Sequence, residues 1–598
     1  MRLTALALDY DGTIAVDGVL GPEVRAAIAE TRAAGIKVIL VTGRLLGDLR
    51  RLAGDLRFVD AVVAENGAVL AFPETGVTRL LAEPPPAHFH KELDRRGITY
   101  LAGECVVEGS ADAASALLRV IQQLELPLVI LFNRGRVMVL PQAVSKATGL
   151  HEALYSQRLS LHNALAIGDA ENDHEMLKAS EVGAAVAWGS PWLKAVADVI
   201  VEGTGPSDVA AFIRHSTRSA RLPYPRPGRR QILLGSTPDG SPVHLGLRGR
   251  NFLIGGDPRS GKSWIGGLLA EQLIQARYSV CVLDPEGDYR SLEVLPGVLI
   301  LGGENPPPKP HELAAALRYP DVSVVVDLSR IPHAEKFDYM RATLPSLASL
   351  RRQSGLPHRI VVDEAHYFLH GSDAAGLLDL DFAGYTLISY RLSGLDHSIL
   401  RASDFVILTR ESDPQEVDQL HALFDGLARG ADAATWRALL ANLGPGDAAL
   451  LPVTEAMAGE LIRIRLAPRR TPHVRHRTKY LDVPVPEEKA FVFEGPEGVR
   501  VRAHTLKELE TVFTAAPATL LEGHLARSDF SRWISDVFGD RFLASQVAHV
   551  EERWRLGEMP GVNDALASLI RERYEIVRNG SGEAAVEPRN TPSGNTAL

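Results

Sequence analysis

The sequence predicts an α/β protein built from two sheets in succession. Three observations carry this reading. Over residues 1–210, short apolar runs alternate with helical patterns, as buried parallel strands joined by helices do. The same alternation restarts at about Gln231 and continues to Leu466. The chain has 598 residues, 45% hydrophobic and 23% charged, which suits about four domains of roughly 150 residues, or about three large ones, and excludes a mainly disordered or fibrous protein.

In the first block, Leu3–Leu8, Lys37–Val41, Ala61–Ala64 and Leu165–Gly168 are expected as buried strands, with helices at Pro22–Ala34 and Asp173–Ala179. Residues 83–140 carry strand and helix signals of their own. They end in an expected hairpin, Leu128–Phe132 with Arg136–Leu140, around Asn133-Arg134-Gly135. An insert of that size is expected as a cap over a core formed by residues 1–82 and 141–210. Residues 211–230 are expected as a linker. From Arg214 to Arg230 there are six arginines (Arg214, Arg218, Arg221, Arg226, Arg229 and Arg230) and no acid, and Pro223, Pro225 and Pro227 favour an extended spacer.

The second block, 231–466, has expected strands at Phe252–Ile254, Val280–Leu283, Val322–Val326, Ile360–Val362 and Phe405–Leu408. Leu461–Leu481 is again free of acids, with Arg463, Arg465, Arg469, Arg470, Arg475, Arg477 and Lys479; residues 467–481 are expected as a basic linker. Residues 482–577 suggest a small α+β or mostly helical module. Phe530, Trp533, Ile534 and Phe538 recur there at helical spacing, as packing residues do, and His524 is expected as a packed or capping histidine. The tail, 578–598, is rich in Gly, Ser, Pro, Asn and Thr and is expected to lack fixed structure.

The formal charge is −10, from 74 acids against 64 Lys and Arg. That excludes a whole-surface nucleic-acid binder and leaves only local patches such as the two arginine stretches, each expected first as a solvated linker. Cys105 and Cys281 cannot build a disulfide framework, so a reducing compartment fits. The first apolar run is too short for a secretory signal, and no run approaches the roughly 20 apolar residues of a membrane helix. The expectation is a cytoplasmic protein with no membrane partner.

Asp9-Tyr10-Asp11-Gly12-Thr13 and Thr42-Gly43-Arg44 each follow an expected strand, Lys146 follows the cap, and Gly168-Asp169-Ala170-Glu171-Asn172-Asp173 ends another strand. In a parallel sheet these strand ends meet at one edge, where open α/β sheets bind ligands. A carboxylate can attack phosphorus and form an aspartyl-phosphate. Repulsion between it and a phosphate dianion calls for a hard cation such as Mg²⁺, for which Asp9, Asp169 and Asp173 can supply oxygens. Asp11 can protonate the leaving oxygen and then activate water. Thr42 and Lys146 can hold the phosphoryl oxygens.

Together these motifs resemble the haloacid dehalogenase superfamily of phosphatases over about residues 1–210. The cap lies between the second and third motifs, the C2 position, as in the branch acting on sugar phosphates and other small phosphate esters. Glu65-Asn66-Gly67-Ala68 is also typical of that branch. The resemblance implies a Rossmann-like core with a small inserted cap. It implies Asp9 as nucleophile, Asp11 as acid/base, Thr42 and Lys146 as phosphate binders, and Mg²⁺ held on the side of Asp9, Asp11, Asp169 and Asp173.

In the second block, strand Asn251–Gly255 leads into Gly256-Asp257-Pro258-Arg259-Ser260-Gly261-Lys262-Ser263 and an apolar helix. This is the G-x-x-x-x-G-K-S loop in its strand-to-helix setting. Gly256, Ser260 and Gly261 shape a backbone cradle for phosphates, Lys262 reaches the β- and γ-phosphates, and Ser263 holds Mg²⁺. A later strand ends in Asp363-Glu364: Asp363 suits the Mg²⁺ shell, and Glu364 can polarise the attacking water. With Asp284-Pro285-Glu286-Gly287-Asp288 and Asp363-Glu364-Ala365-His366, the block resembles the HerA/FtsK class of P-loop ATPases, nearest the HerA-like branch. The resemblance implies a RecA-like domain that binds ATP between subunits of a hexameric ring, with an arginine donated in trans: Arg410, or its rivals Arg391 and Arg401. Double-stranded DNA is the implied partner. Two departures stand out. The phosphatase occupies the place of the usual β-barrel, and Tyr390 stands where a glutamine is expected.

Two functions follow as expectations. In one, a Mg²⁺-dependent phosphatase is fused to an oligomeric ATPase that acts with nucleic acid, in DNA processing or phage defence. In the alternative, a metabolic phosphatase for sugar phosphates or other small metabolites is carried on an ATPase domain that serves as scaffold or regulator.

Overall fold

A computed structural model describes residues 1–574 apart from 134, 224, 225, 227, 248, 249, 370–373, 425–431, 453–460, 473–484, 486–488, 495–499 and 539. Two compact units divide the chain, Met1–Val474 and Arg475–Leu598.

The first sheet has eight strands in the order Val199–Val201, Val182–Val186, Ala164–Gly168, Ala5–Leu8, Lys37–Val41, Ala61–Ala64, Val69–Phe72 and Val77–Leu80. The first six run parallel, Val69–Phe72 runs against them, and Val77–Leu80 pairs antiparallel with Val69–Phe72. Successive side chains point to opposite faces, and both faces are covered. Leu6, Leu8, Val38 and Leu40 pack with Val24, Ile28, Leu46, Leu49, Val209 and Ile213. Ala5, Ala7, Ile39 and Val41 pack with Leu150, Leu154, Met176 and Leu177. All four expected strands and both expected helices occur, the helices as Pro22–Ala33 and His174–Ala179.

The insert forms its own layer. A four-stranded antiparallel sheet, ordered Leu128–Asn133, Arg136–Pro141, Val107–Ser110 and Tyr100–Ala102, is backed by helices Ala87–Arg95 and Ala114–Gln123. Its separate core includes Phe89, Leu93, Leu117, Val120, Val137 and Val139. The expected hairpin is present, with Phe132 opposite Val137.

The expected linker needs correction. Helix Pro206–Ser219 runs through its first half, because Val209, Ala210 and Ile213 are buried against the core. Arg214 in that helix pairs with Glu30. Arg229 and Arg230 are bound to backbone and acids of the first domain rather than solvated.

The second sheet has eleven strands: Pro242–Gly246, Gln231–Ser236, Ile462–Leu466, Asp447–Pro452, Phe405–Leu408, Phe252–Gly255, Tyr385–Ile388, Arg359–Val362, Val280–Asp284, Ser323–Asp327 and Val298–Gly302. The seven from Phe405–Leu408 onward are parallel, and the four before them pair antiparallel. Strand Phe252–Gly255 thus lies inside the parallel set, and helix Lys262–Gln275 follows it.

The described residues of the second unit form a two-stranded ribbon, Phe491–Glu494 with Arg500–Ala503, and several helices from Leu506–Ala515 to Val562–Tyr574. Phe493, Phe513, Phe530, Ile534 and Leu566 build their core. His524 Nδ1 lies 2.9 Å from Asp529 Oδ2, a packed position. Arg475, Arg477, Lys479 and the tail 578–598 lie outside the described residues. Among those described, no helix is long and apolar enough to cross a membrane.

Candidate active site

Asp9 follows strand Ala5–Leu8, and its N–H donates to the Ile167 carbonyl at 2.9 Å, which ties two strand ends together. Lys146 opens helix Lys146–Tyr155, whose start is fixed by a reciprocal Ser145–Thr148 capping box. From there its ammonium donates to Asp9 Oδ1 and Asp173 Oδ1, each at 2.6 Å. Asp173 in turn accepts from the backbone N–H groups of Asp169 at 3.0 Å and Ala170 at 3.1 Å. The Thr13 hydroxyl sits 3.1 Å from Asp9 Oδ2 and 3.4 Å from Asp169 Oδ1. Thr42 is buried at the next strand end.

Asp9, Asp169 and Asp173 bring carboxylate oxygens within 4.8 Å of one another, all three buried. Lys146 is a buried ammonium shared by two of them. Three buried carboxylates share this site with the Lys146 ammonium, and an all-oxygen donor set suits a hard divalent cation. The residues present therefore fit Mg²⁺, which enzymes of the haloacid dehalogenase superfamily use. Without a cation the crowding is visible in Asp9, whose carboxyl is pushed up to about 7 by burial and by Asp173, against the pull of Lys146. Burial opposes the charge of Lys146, but Asp173 and Asp9 outweigh it and hold the ammonium above its ordinary range.

With chelator present, the Asp9 carboxyl makes stability depend on pH. Between about pH 4 and 7 the unfolded chain has lost the Asp9 proton while the folded chain keeps it. Stability conferred by this group therefore falls as pH rises through that window and levels off above about 7. Thermal melts in chelator across this range should show the decline, and saturating Mg²⁺ should reduce it.

The carboxylate cluster leaves out Asp11, which the sequence grouped with the metal side. Arg44 holds the Asp11 carboxylate in a two-pronged pair, Nε and Nη2 each at 2.6 Å. A guanidinium fork matches a carboxylate geometrically, and this turns Asp11 toward the second motif. Asp11 still borders a cavity of roughly 530 Å³ together with Asp9, Thr42, Lys146 and Asp169. From the cap, Glu108, Arg136 and Met138 face the same cavity.

Sequence reasoning assigned no role to Thr13, Arg44 or Glu65. Thr13 was in view as the last residue of the first motif. Glu65 is fully buried, and its carboxylate accepts N–H bonds from Glu104 at 2.9 Å, Cys105 at 2.8 Å and Val106 at 3.1 Å. It thereby pins a segment of the insert to the core. Gly67, with φ 106°, packs so closely that a Cβ there would stand 2.0 Å from the Ser145 carbonyl. Gly67→Ala should cost about 2 kcal/mol or more and displace the cap of the Lys146 helix. A melting temperature lower by several degrees, with reduced activity, is the expected result.

In the second sheet, the loop from Gly256 to Ser263 joins strand Phe252–Gly255 to helix Lys262–Gln275. Gly256 has φ 139°, and a Cβ would lie 2.1 Å from Thr409 Oγ1. Lys262 Nζ donates to the Asp257 carbonyl at 2.7 Å, and Ser260 Oγ does the same at 2.7 Å. Ser263 and Lys262 are buried. Asp363 and Glu364 follow strand Arg359–Val362 at the same edge of the parallel sheet, and both are fully buried. Glu364 adopts φ 49°, a left-handed conformation uncommon outside glycine. Asp284 is held well above the carboxylate range by burial and by Asp288 and Asp363. Arg410 is half exposed and lies 3.5 Å from Asp257 in the loop of its own chain. Arg391 and Arg401 are exposed. Tyr390 stacks edge-on with His366, ring centres 4.3 Å apart.

The profile of haloacid dehalogenase-like hydrolases matches residues 6–94 and 111–213. Relatives include phosphoglycolate phosphatase 2 of Saccharolobus solfataricus, 27% identical over 205 residues, 33% of this chain and 85% of the relative. The phosphoglycolate phosphatase of Methanothermobacter thermautotrophicus is 28% identical over 222 residues, 36% of this chain and 98% of the relative. Among solved structures, a haloacid dehalogenase-like hydrolase from Bacteroides thetaiotaomicron aligns at 18% identity and a TM-score of 0.32, covering 36% of this chain and 99% of its own. The segment from residue 6 to residue 213 is a phosphatase domain of the haloacid dehalogenase superfamily.

Proposed function

We propose that the first domain hydrolyses a small phosphate monoester by way of an aspartyl-phosphate on Asp9. The observation that carries this is the buried set Asp9, Lys146, Asp169 and Asp173, of which Asp9, Lys146 and Asp169 line a cavity that Glu108, Arg136 and Met138 of the cap also line. Asp9 attacks phosphorus and the bond from phosphorus to the leaving oxygen breaks, while Asp11, released from Arg44 and protonated from solvent, gives that proton to the leaving oxygen. Asp11 then takes a proton from water, whose oxygen attacks phosphorus and frees Asp9. Thr42 and Lys146 bind the phosphoryl oxygens. Mg²⁺, held by Asp9 and Asp169 with Asp173 beside them, supplies charge neutralisation when bound.

The substrate we favour is a small phosphorylated acid of the phosphoglycolate type, after the activity named for the relatives. Arg136 of the cap pairs with Glu108 beside the cavity, and a carboxylate on the leaving group could take the place of Glu108 there. Phosphate release from phosphoglycolate, sugar phosphates and nucleotides, with and without Mg²⁺, tests the reading. Mg²⁺-dependent turnover that is fastest with phosphoglycolate is expected; turnover of none of them would end it.

For the second sheet we propose ATP binding and hydrolysis, with Gly256, Ser260, Gly261, Lys262 and Ser263 on the phosphates, Asp363 on Mg²⁺ and Glu364 polarising water. The strand–loop–helix setting of the loop supports it. The hexameric ring, the trans role of Arg410 and double-stranded DNA rest on the motif resemblance. In the second arginine stretch, Arg463 and Arg465 pair with Asp447, and Arg469 lies buried beside Glu271. Internal pairing of this kind favours the metabolic reading over the nucleic-acid one. Salt-sensitive stimulation of ATP hydrolysis by double-stranded DNA would reverse that preference.

A further inference from the structure

Helix His174–Ala179 begins immediately after Asp173 and is only six residues long. A helix this short cannot sustain itself, and its last carbonyls lack partners within it. Their partners come from beyond the phosphatase domain. Arg229 Nη2 donates to the carbonyls of Leu177 at 2.7 Å, Lys178 at 2.8 Å and Ser180 at 2.8 Å. Arg230 Nη2 donates to those of Lys178 at 2.9 Å, Ala179 at 3.0 Å and Ser180 at 2.6 Å. Both cations sit at the helix C-terminus, where the backbone dipoles favour positive charge.

The two guanidiniums are themselves held. Arg229 pairs with buried Asp198. Arg230 Nε lies 3.5 Å from Glu181, a fully buried carboxylate that also meets His162 Nδ1 at 2.8 Å and the Tyr278 hydroxyl at 2.9 Å. His162 stacks on Tyr278 with ring centres 3.6 Å apart, and its Nε2 is 2.8 Å from the carbonyl of Ala276, at the end of the helix that follows the second-sheet loop. Arg229 and Arg230 immediately precede strand Gln231–Ser236, outside the segment that matches the phosphatase family.

We propose that Arg229 and Arg230 are positioning residues for the phosphatase: supplied by the segment that leads into the second sheet, they hold the helix whose start places Asp169 and Asp173. The idea rests on the phosphatase reading above. Asp173 fixes the turn at Asp169 and Ala170 through its own carboxylate, so movement of the helix would be felt directly at the carboxylate cluster.

The test is the full chain carrying Arg229→Ala and Arg230→Ala together. The Mg²⁺ concentration for half-maximal phosphate release should rise at least fivefold and kcat should fall, while KM for the phosphate ester stays within twofold. Backbone amides of residues 174–181 should exchange hydrogen at least tenfold faster, and the double lysine variant should recover part of each loss. An unchanged Mg²⁺ response with unchanged exchange would overturn the proposal. So would a general loss of melting temperature without a selective effect on Mg²⁺ or on those amides. If the double variant does not fold, Arg230→Gln is read by the same two measures. A wild-type chain that releases no phosphate would defeat the functional reading, while the exchange measurement would still decide whether the arginines hold the segment.

Discussion

Asp9→Asn should reduce phosphate release by about a thousandfold or more, because an amide cannot attack phosphorus to form the acyl-phosphate. Asparagine has nearly the same shape, so the pocket stays filled. Lys146 keeps Asp173 as a partner, 2.6 Å away. The variant also loses a carboxyl group whose ionisation burial opposes. Without Mg²⁺ and above about pH 7, it should therefore melt at or above the temperature of the wild-type chain. Unaltered hydrolysis of ATP by the same preparation would show that the second sheet is intact. Retention of a tenth or more of the phosphatase rate would remove Asp9 from the role of nucleophile.

Lys262→Ala should do the opposite. The lysine now closes the loop on itself through the Asp257 carbonyl at 2.7 Å, so it is already aimed inside the Gly256–Ser263 turn. Replacing that bond with bonds to β- and γ-phosphate oxygens gives charge-assisted contacts worth about 1.5–3 kcal/mol. Their loss should weaken ATP binding by at least tenfold and stop hydrolysis. Phosphate release from the small ester should persist. Equilibrium binding of a labelled ATP analogue, beside a phosphatase assay, checks both halves. Undiminished ATP affinity would show that the loop does not serve as a nucleotide cradle. A parallel loss of phosphatase activity would show that the two sites depend on each other.

Much of the fold could be read because its strands are continuous apolar runs. Ala5–Leu8 and Ala61–Ala64 are buried on both faces, and such runs announce themselves in sequence. The convergence of Asp9, Lys146, Asp169 and Asp173 was also legible, since parallel strands bring their C-terminal ends to one edge. What escaped was pairing that depends on side-chain direction or on backbone partners. Asp11 was expected among the metal-side acids, but the choice between cation and Arg44 is made by a rotamer, not by spacing. Glu65 grips three backbone N–H groups, and no residue type marks those. Arg229 and Arg230 looked like linker charges because no acid lies near them in sequence. Their partners are carbonyls of a distant helix end together with Asp198 and Glu181, which the chain brings back only after folding.

The polar joint around Glu181 also bears on how the first unit comes apart. His162, Asn163 and Glu181 belong to one sheet's domain, and Tyr278 and His358 to the other; all five are buried. Separating the two halves would break the Tyr278–Glu181, His162–Ala276 and His358–Asn163 hydrogen bonds, each worth about 0.5–1.5 kcal/mol net. Neither half can melt first without paying that penalty, so calorimetry should record residues 1–474 as one cooperative transition rather than two.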